Sequence, residues 1–88
     1  MEDYKSLFYK ALDCKKNNRS GEARELYLKV LELKPDLTEA YFNLATIYYD
    51  DNECQKAVDC YKKILELNPE DTEVKYFLSL AYFKMKNY

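Results

Sequence analysis

The sequence has no histidine, one glycine and two prolines. Without an imidazole it lacks the commonest general base near neutral pH and the usual nitrogen ligand for zinc. A lone Gly21 cannot build a glycine-rich phosphate loop. The three cysteines, Cys14, Cys54 and Cys60, are odd in number and show no C-x-x-C spacing. Neither a metal site nor a disulfide framework is therefore expected; the thiols read as small apolar fillers kept reduced in the cytoplasm. Apolar runs last only a few residues, far short of the roughly 20 that cross a bilayer, so no membrane insertion is expected. The opening stretch MEDYKSLFYK lacks the basic-then-apolar order of a signal peptide. Basic and acidic residues number 14 and 16, for a net charge of −2, and are interspersed. No basic stripe marks a nucleic-acid partner. The acidic pairs Asp50/Asp51 and Glu70/Asp71 fall in short polar breaks and read as solvated caps, so no enzyme and no cofactor is expected.

What the chain does have is apolar content, at 48% over 88 residues, enough for one small ordered domain. It also repeats itself. Pro35 and Pro69 stand 34 positions apart, each closing a similar string, KVLELKP at 29–35 and KKILELNP at 62–69. The same shift superposes Phe8 on Phe42, Ala11 on Ala45, Asn18 on Asn52, Ala23 on Ala57 and Tyr27 on Tyr61. It also aligns Lys29, Leu31, Glu32 and Leu33 with Lys63, Leu65, Glu66 and Leu67. With the prolines these make ten identities, against about two or three expected by chance at ordinary residue frequencies.

Inside each unit the period is helical. Tyr41, Leu44, Ala45 and Tyr48 recur at i, i+3, i+4, i+7 and share one face, as do Ala57, Tyr61, Ile64 and Leu65. The break DDNE at 50–53 offers Asn52 for a left-handed backbone, and each proline ends a helix by disfavouring helical geometry in the residue before it. Asp36 or Thr38, and Asp71 or Thr72, are the candidate caps of the helices that follow. The expectation is five helices near 3–16, 20–34, 37–50, 54–67 and 71–86, joined by connections too short for anything but antiparallel hairpins.

At this point the chain resembles the tetratricopeptide repeat family, a 34-residue helix–turn–helix unit with the pattern W-x2-L-G-x2-Y, A-x3-F, P. The central unit reads Tyr41-x2-Leu44-Ala45-x2-Tyr48, then Ala57-x3-Tyr61, then Pro69. The unit before it reads Leu7-x2-Lys10-Ala11-x2-Cys14, then Ala23-x3-Tyr27, then Pro35. Lys10 departs from the apolar position, which suits a first unit with nothing packed before it. A third unit opens as Lys75-x2-Leu78-Ser79-x2-Tyr82 and lacks the aromatic at Lys75.

The resemblance implies an all-α fold in which antiparallel hairpins stack as an α-solenoid, a right-handed superhelix. Its units are repeat 1 at 4–37, repeat 2 at 38–71 and a half repeat at 72–88, within one domain over 1–88. Since MKNY at 85–88 stands where a further helix is due to begin, the chain reads as a fragment of a longer array; a genuine closing helix is the alternative. Small residues at Ala11, Ala45, Ser79, Ala23 and Ala57 are expected at close helix crossings, with Cys14 core-buried at the position held by Tyr48 and Tyr82.

Function follows from the same resemblance: a non-enzymatic scaffold that binds a protein or peptide in a groove lined by first helices. Counted along the family pattern, the groove residues are Phe8, Tyr9, Leu12, Phe42, Asn43, Tyr49, Tyr76, Phe77, Leu80 and Phe83, with Thr46 and the charged Lys5, Lys15, Lys16, Glu39, Asp50, Glu73 and Lys84 also at groove positions. Such an aromatic lining would grip an apolar or amphipathic segment. The two-carboxylate clamp that some members carry is absent, because only Asn43 fits among Phe8, Leu12, Asn43, Glu73 and Phe77. The alternative is a self-assembly module, a homodimer formed through the exposed helix at 71–86. A packing role for the aromatics competes with both.

Overall fold

The computed structural model describes residues 3–86, which form α1 (Tyr4–Lys16), α2 (Ser20–Leu33), α3 (Thr38–Asp50), α4 (Cys54–Leu67) and α5 (Thr72–Lys86). Every expected helix boundary is met to within one residue. Of the stretch MKNY, where a further helix is expected to be about to begin, Met85 and Lys86 close α5, while Asn87 and Tyr88 lie outside the described residues. Each helix packs on the next, α1 on α2 through α4 on α5, and no strand occurs among the described residues. The molecule measures 42 × 28 × 17 Å, the thinnest axis leaving room for two helix layers about 8–10 Å apart.

The turns repeat with the sequence. Asn18 and Asn52 both adopt φ 63°, the left-handed region that asparagine enters more readily than most residues. After α1, the Arg19 N–H reaches the Cys14 carbonyl at 2.7 Å and the Asn18 N–H that of Lys15 at 3.2 Å. After α3, Glu53 bonds Tyr48 at 2.8 Å and Asn52 bonds Tyr49 at 3.1 Å. Both are Schellman closures, which satisfy carbonyls the helix end leaves over.

The caps repeat less well. Asp3 accepts from the Ser6 N–H at 2.9 Å and Asp71 from the Val74 N–H at 3.1 Å. The matching position in the middle unit is Leu37, which caps α3 with no side-chain hydrogen bond and packs on the core instead. The expected Asp36 or Thr38 cap is thus not formed: Asp36 pairs with Lys34 at 3.3 Å, and Thr38 lies inside the helix.

Ala11, Ala23, Ala45 and Ala57 are fully buried at the crossings, as expected. Ser79 is not. It is exposed and bonds back to the Lys75 carbonyl at 3.1 Å, because among the described residues no second helix covers that side of α5. Tyr82, at 43% exposure, shares this fate. The expectation for Cys14 is also corrected. It is only half-buried, with its thiol 3.9 Å from Glu22, whereas Cys54 and Cys60 are the buried cysteines. Lys10 is exposed.

Candidate functional site

The first helices α1, α3 and α5 set the candidate site, and the 34-residue register decides which of its aromatics are covered. Phe8 stands edge-on to Tyr27 at 5.8 Å and 66°, and Phe42 meets Tyr61 at 6.1 Å and 66°. The same ring contact is therefore made twice, each time between the first and second helix of one unit. The third equivalent, Tyr76, meets no second helix of its unit among the described residues and stays 62% exposed. Phe77, one residue on, turns back instead. Its ring lies 5.3 Å from Phe42 and stacks on Tyr61 at 6.2 Å and 16°.

Phe42 and Tyr49 are partly buried and pack on the core, so they carry stability as well as offering surface. Phe8, Leu12 and Phe77 are likewise partly buried against it. Tyr9, at 65%, Tyr76, at 62%, and Phe83, at 67%, are the exposed aromatics among the ten expected residues.

Eight of the ten expected residues line clefts. Phe8, Leu12, Phe42 and Asn43 share a central cleft of about 420 Å³, whose walls also include Thr38, Glu39, Ile64, Asp71, Glu73 and Val74. Phe8 and Glu39 continue into a second cleft of about 260 Å³ with Tyr9, Tyr4, Lys5 and Leu37. Tyr49, Phe77 and Leu80 line a third of about 200 Å³ with Thr46, Asp50 and Tyr61. Tyr76 and Phe83 lie outside all three. Glu39 and Glu73 come from the expected groove positions. Thr38, which opens α3, and Asp71, from the turn before α5, reach the same wall, and the groove positions counted along the first helices do not include them.

The polar groups behind the cleft are quiet. The Tyr27 hydroxyl is buried without a well-formed hydrogen bond, and burial pushes its pKa up to about 12, with the nearby Asn43 amide pulling the other way. Tyr61 is raised by burial, opposed by Thr46. Lys84, expected at the groove, is spent on packing: its Nζ donates to the Tyr49 carbonyl at 2.7 Å and sits 4.0 Å over the Tyr49 ring. No cluster of residues fit to hold a metal ion occurs among the described residues.

The Tetratricopeptide repeat family model matches residues 38–71, and a second model, TPR repeat, matches residues 11–52. The chain belongs to the tetratricopeptide repeat family. Such repeats are generally protein–protein interaction modules, typically non-enzymatic. No curated protein matches the chain. No helix among the described residues is long and apolar enough to cross a membrane.

Proposed function

We propose that the first-helix face is a binding groove for an apolar or amphipathic segment, a peptide or helix of another protein. The observation that carries this reading is the chain of clefts, from Tyr9 past Phe8 and Phe42, with Phe77 and Leu80 beyond. Its apolar floor is too small to swallow a helix but shaped to take successive side chains from one. Exposed Tyr9, Tyr76 and Phe83 extend the apolar surface past the clefts. The acidic balance makes a nucleic acid a poor ligand, and three free thiols suit a cytoplasmic, reducing setting. The module comprises the two repeats and half repeat described above, acting as one scaffold without cofactor.

The test is panning of a random dodecapeptide display library on the folded chain. Peptides so obtained should bind Tyr9→Ser and Leu12→Ser variants more weakly by roughly 2 kcal/mol, the scale of a central anchor. The variant Leu28→Ser, at a residue outside these three clefts, should bind as wild type does. Peptides sensitive to Leu28 and indifferent to Tyr9 and Leu12 would move the site off this face.

A second reading rests on α5. Leu78, Ser79 and Tyr82 repeat the register of Leu44, Ala45 and Tyr48, which α4 covers in the middle unit, yet Ser79 and Tyr82 are exposed. A homodimer joined through this face would cover them. Sedimentation should then show a concentration-dependent, salt-tolerant dimer that Tyr82→Ser dissolves.

A further inference from the structure

We propose that the central cleft selects partner segments in which a lysine or arginine adjoins a large apolar side chain, an inference that rests on the groove reading above. The cleft floor is Phe8, Leu12, Phe42, Ile64 and Val74. Its charged groups are Glu39, Asp71 and Glu73, and no lysine or arginine lines it. The chain as a whole is nearly balanced, with 14 basic and 16 acidic residues, so three carboxylates without a cation are a local segregation.

Lys84 holds the Tyr49 carbonyl, Lys34 pairs with Asp36, and Lys5 lines the adjoining cleft, which Glu39 also borders, rather than this one. Asp71 uses one oxygen to accept from the Val74 N–H. The carboxylates of Glu39 and Glu73 make no hydrogen bond or ion pair among the described residues.

Both glutamates stand in the first turn of a helix, where a carboxylate suits the positive helix end. That accounts for acids at these two positions. It does not account for a cation-free wall around an apolar floor.

An occupant must leave these carboxylates in tolerable surroundings. A purely apolar segment would desolvate them without a partner, and an acidic one would be repelled. A lysine or arginine can lay its aliphatic stem on Phe8 and Phe42 while its head meets Glu39 or Glu73. A volume of about 420 Å³ falls in the ordinary range for ligand sites, about 300–1,000 Å³, and takes a pair of side chains rather than a helix.

The same dodecapeptide panning, run on the full chain, tests the inference. Peptides that depend on Leu12 should be enriched in lysine or arginine beside aromatic or aliphatic residues. Replacing those basic residues by glutamine should weaken binding about tenfold at low salt, and much less at high salt. The variant Glu39→Lys/Glu73→Lys should prefer the peptide with its basic residues changed to glutamate, a reversal that loss of folding cannot produce. Leu12-dependent peptides without basic enrichment, or a charge-reversed variant with unchanged preference, would overturn the inference and leave the groove standing. Failure to obtain any Leu12-dependent peptide would overturn both.

Discussion

Phe42→Ala is the substitution that best probes how this face is built. The Phe42 side chain is partly buried, edge-on to Tyr61 at 6.1 Å and to Phe77 at 5.3 Å. Truncating a fully buried phenylalanine costs about 3–5 kcal/mol through lost transfer energy and the cavity left behind. Partial exposure reduces that, and two lost ring pairs, each about 0.5–1.5 kcal/mol, add to it, so the expected cost is about 2–3 kcal/mol. At about 4–8 °C per kcal/mol for a domain of this size, the melting temperature should fall by about 10–20 °C.

The internal repeat supplies the control. Tyr76 occupies the same register one unit on, but it is 62% exposed and its one ring contact among the described residues is with Phe77, at 5.6 Å. Tyr76→Ala should stay within about 0.5 kcal/mol of wild type. Paired thermal melts followed by helical circular dichroism read both values on the same day and buffer. A loss below about 1 kcal/mol for Phe42→Ala, or equal losses at both positions, would refute the reasoning. It would mean that the register does not set burial through the presence of a second helix.

Three further outcomes follow from burial and charge. Ala57→Leu, at a fully buried crossing of α4, should overpack the hairpin and cost about 1–3 kcal/mol in a chemical melt. A thiol reagent applied to the native protein should label half-buried Cys14 before Cys60, whose thiol is pushed up to about 12 by burial first and Asp59 second. Alkaline pH should destabilise the fold. Cys60 rises from 9.0 and Tyr27 from 10.0 to about 12, so the native state keeps protons that the unfolded chain releases. Their contribution is intact below about pH 9 and is lost as pH climbs toward 12; Cys60→Ala should flatten the early part of that decline.

The helices were legible in the sequence because their signals are local. A 3.6-residue period with Pro35 and Pro69 as stops leaves little freedom in the boundaries. Asn52 was legible at its turn for the same reason. Burial was less so. In α4 the pattern is clean: Ala57, Val58, Cys60, Tyr61 and Ile64 are buried while Gln55, Lys56, Asp59, Lys62 and Lys63 are exposed. In α3, Ala40 and Ile47 are buried along with Leu44 and Ala45, though they lie off the stripe traced by Tyr41, Leu44, Ala45 and Tyr48. Ala40, Leu44 and Ile47 run at i, i+4, i+7 as a second row beside the first. A period traced along one row reports only that row.

The candidate site was legible only in part, for a reason that lies in the repeat itself. A 34-residue register transfers identity between units, but burial depends on what stands opposite, and units at different places in a stack face different neighbours. Phe8, Phe42 and Tyr76 occupy one register position. The first two are held by the tyrosine of their own second helix, and the third is left in solvent. Counting positions therefore groups residues of unequal burial, and treats Phe42 as surface when it also serves as core. The same logic explains the acidic wall. Glu39 and Glu73 are register mates on neighbouring first helices, whereas Asp71 arrives from the turn between α4 and α5. Their convergence on one apolar floor is a property of the stacked units, and the charge preference of the groove belongs to the stack rather than to any single repeat.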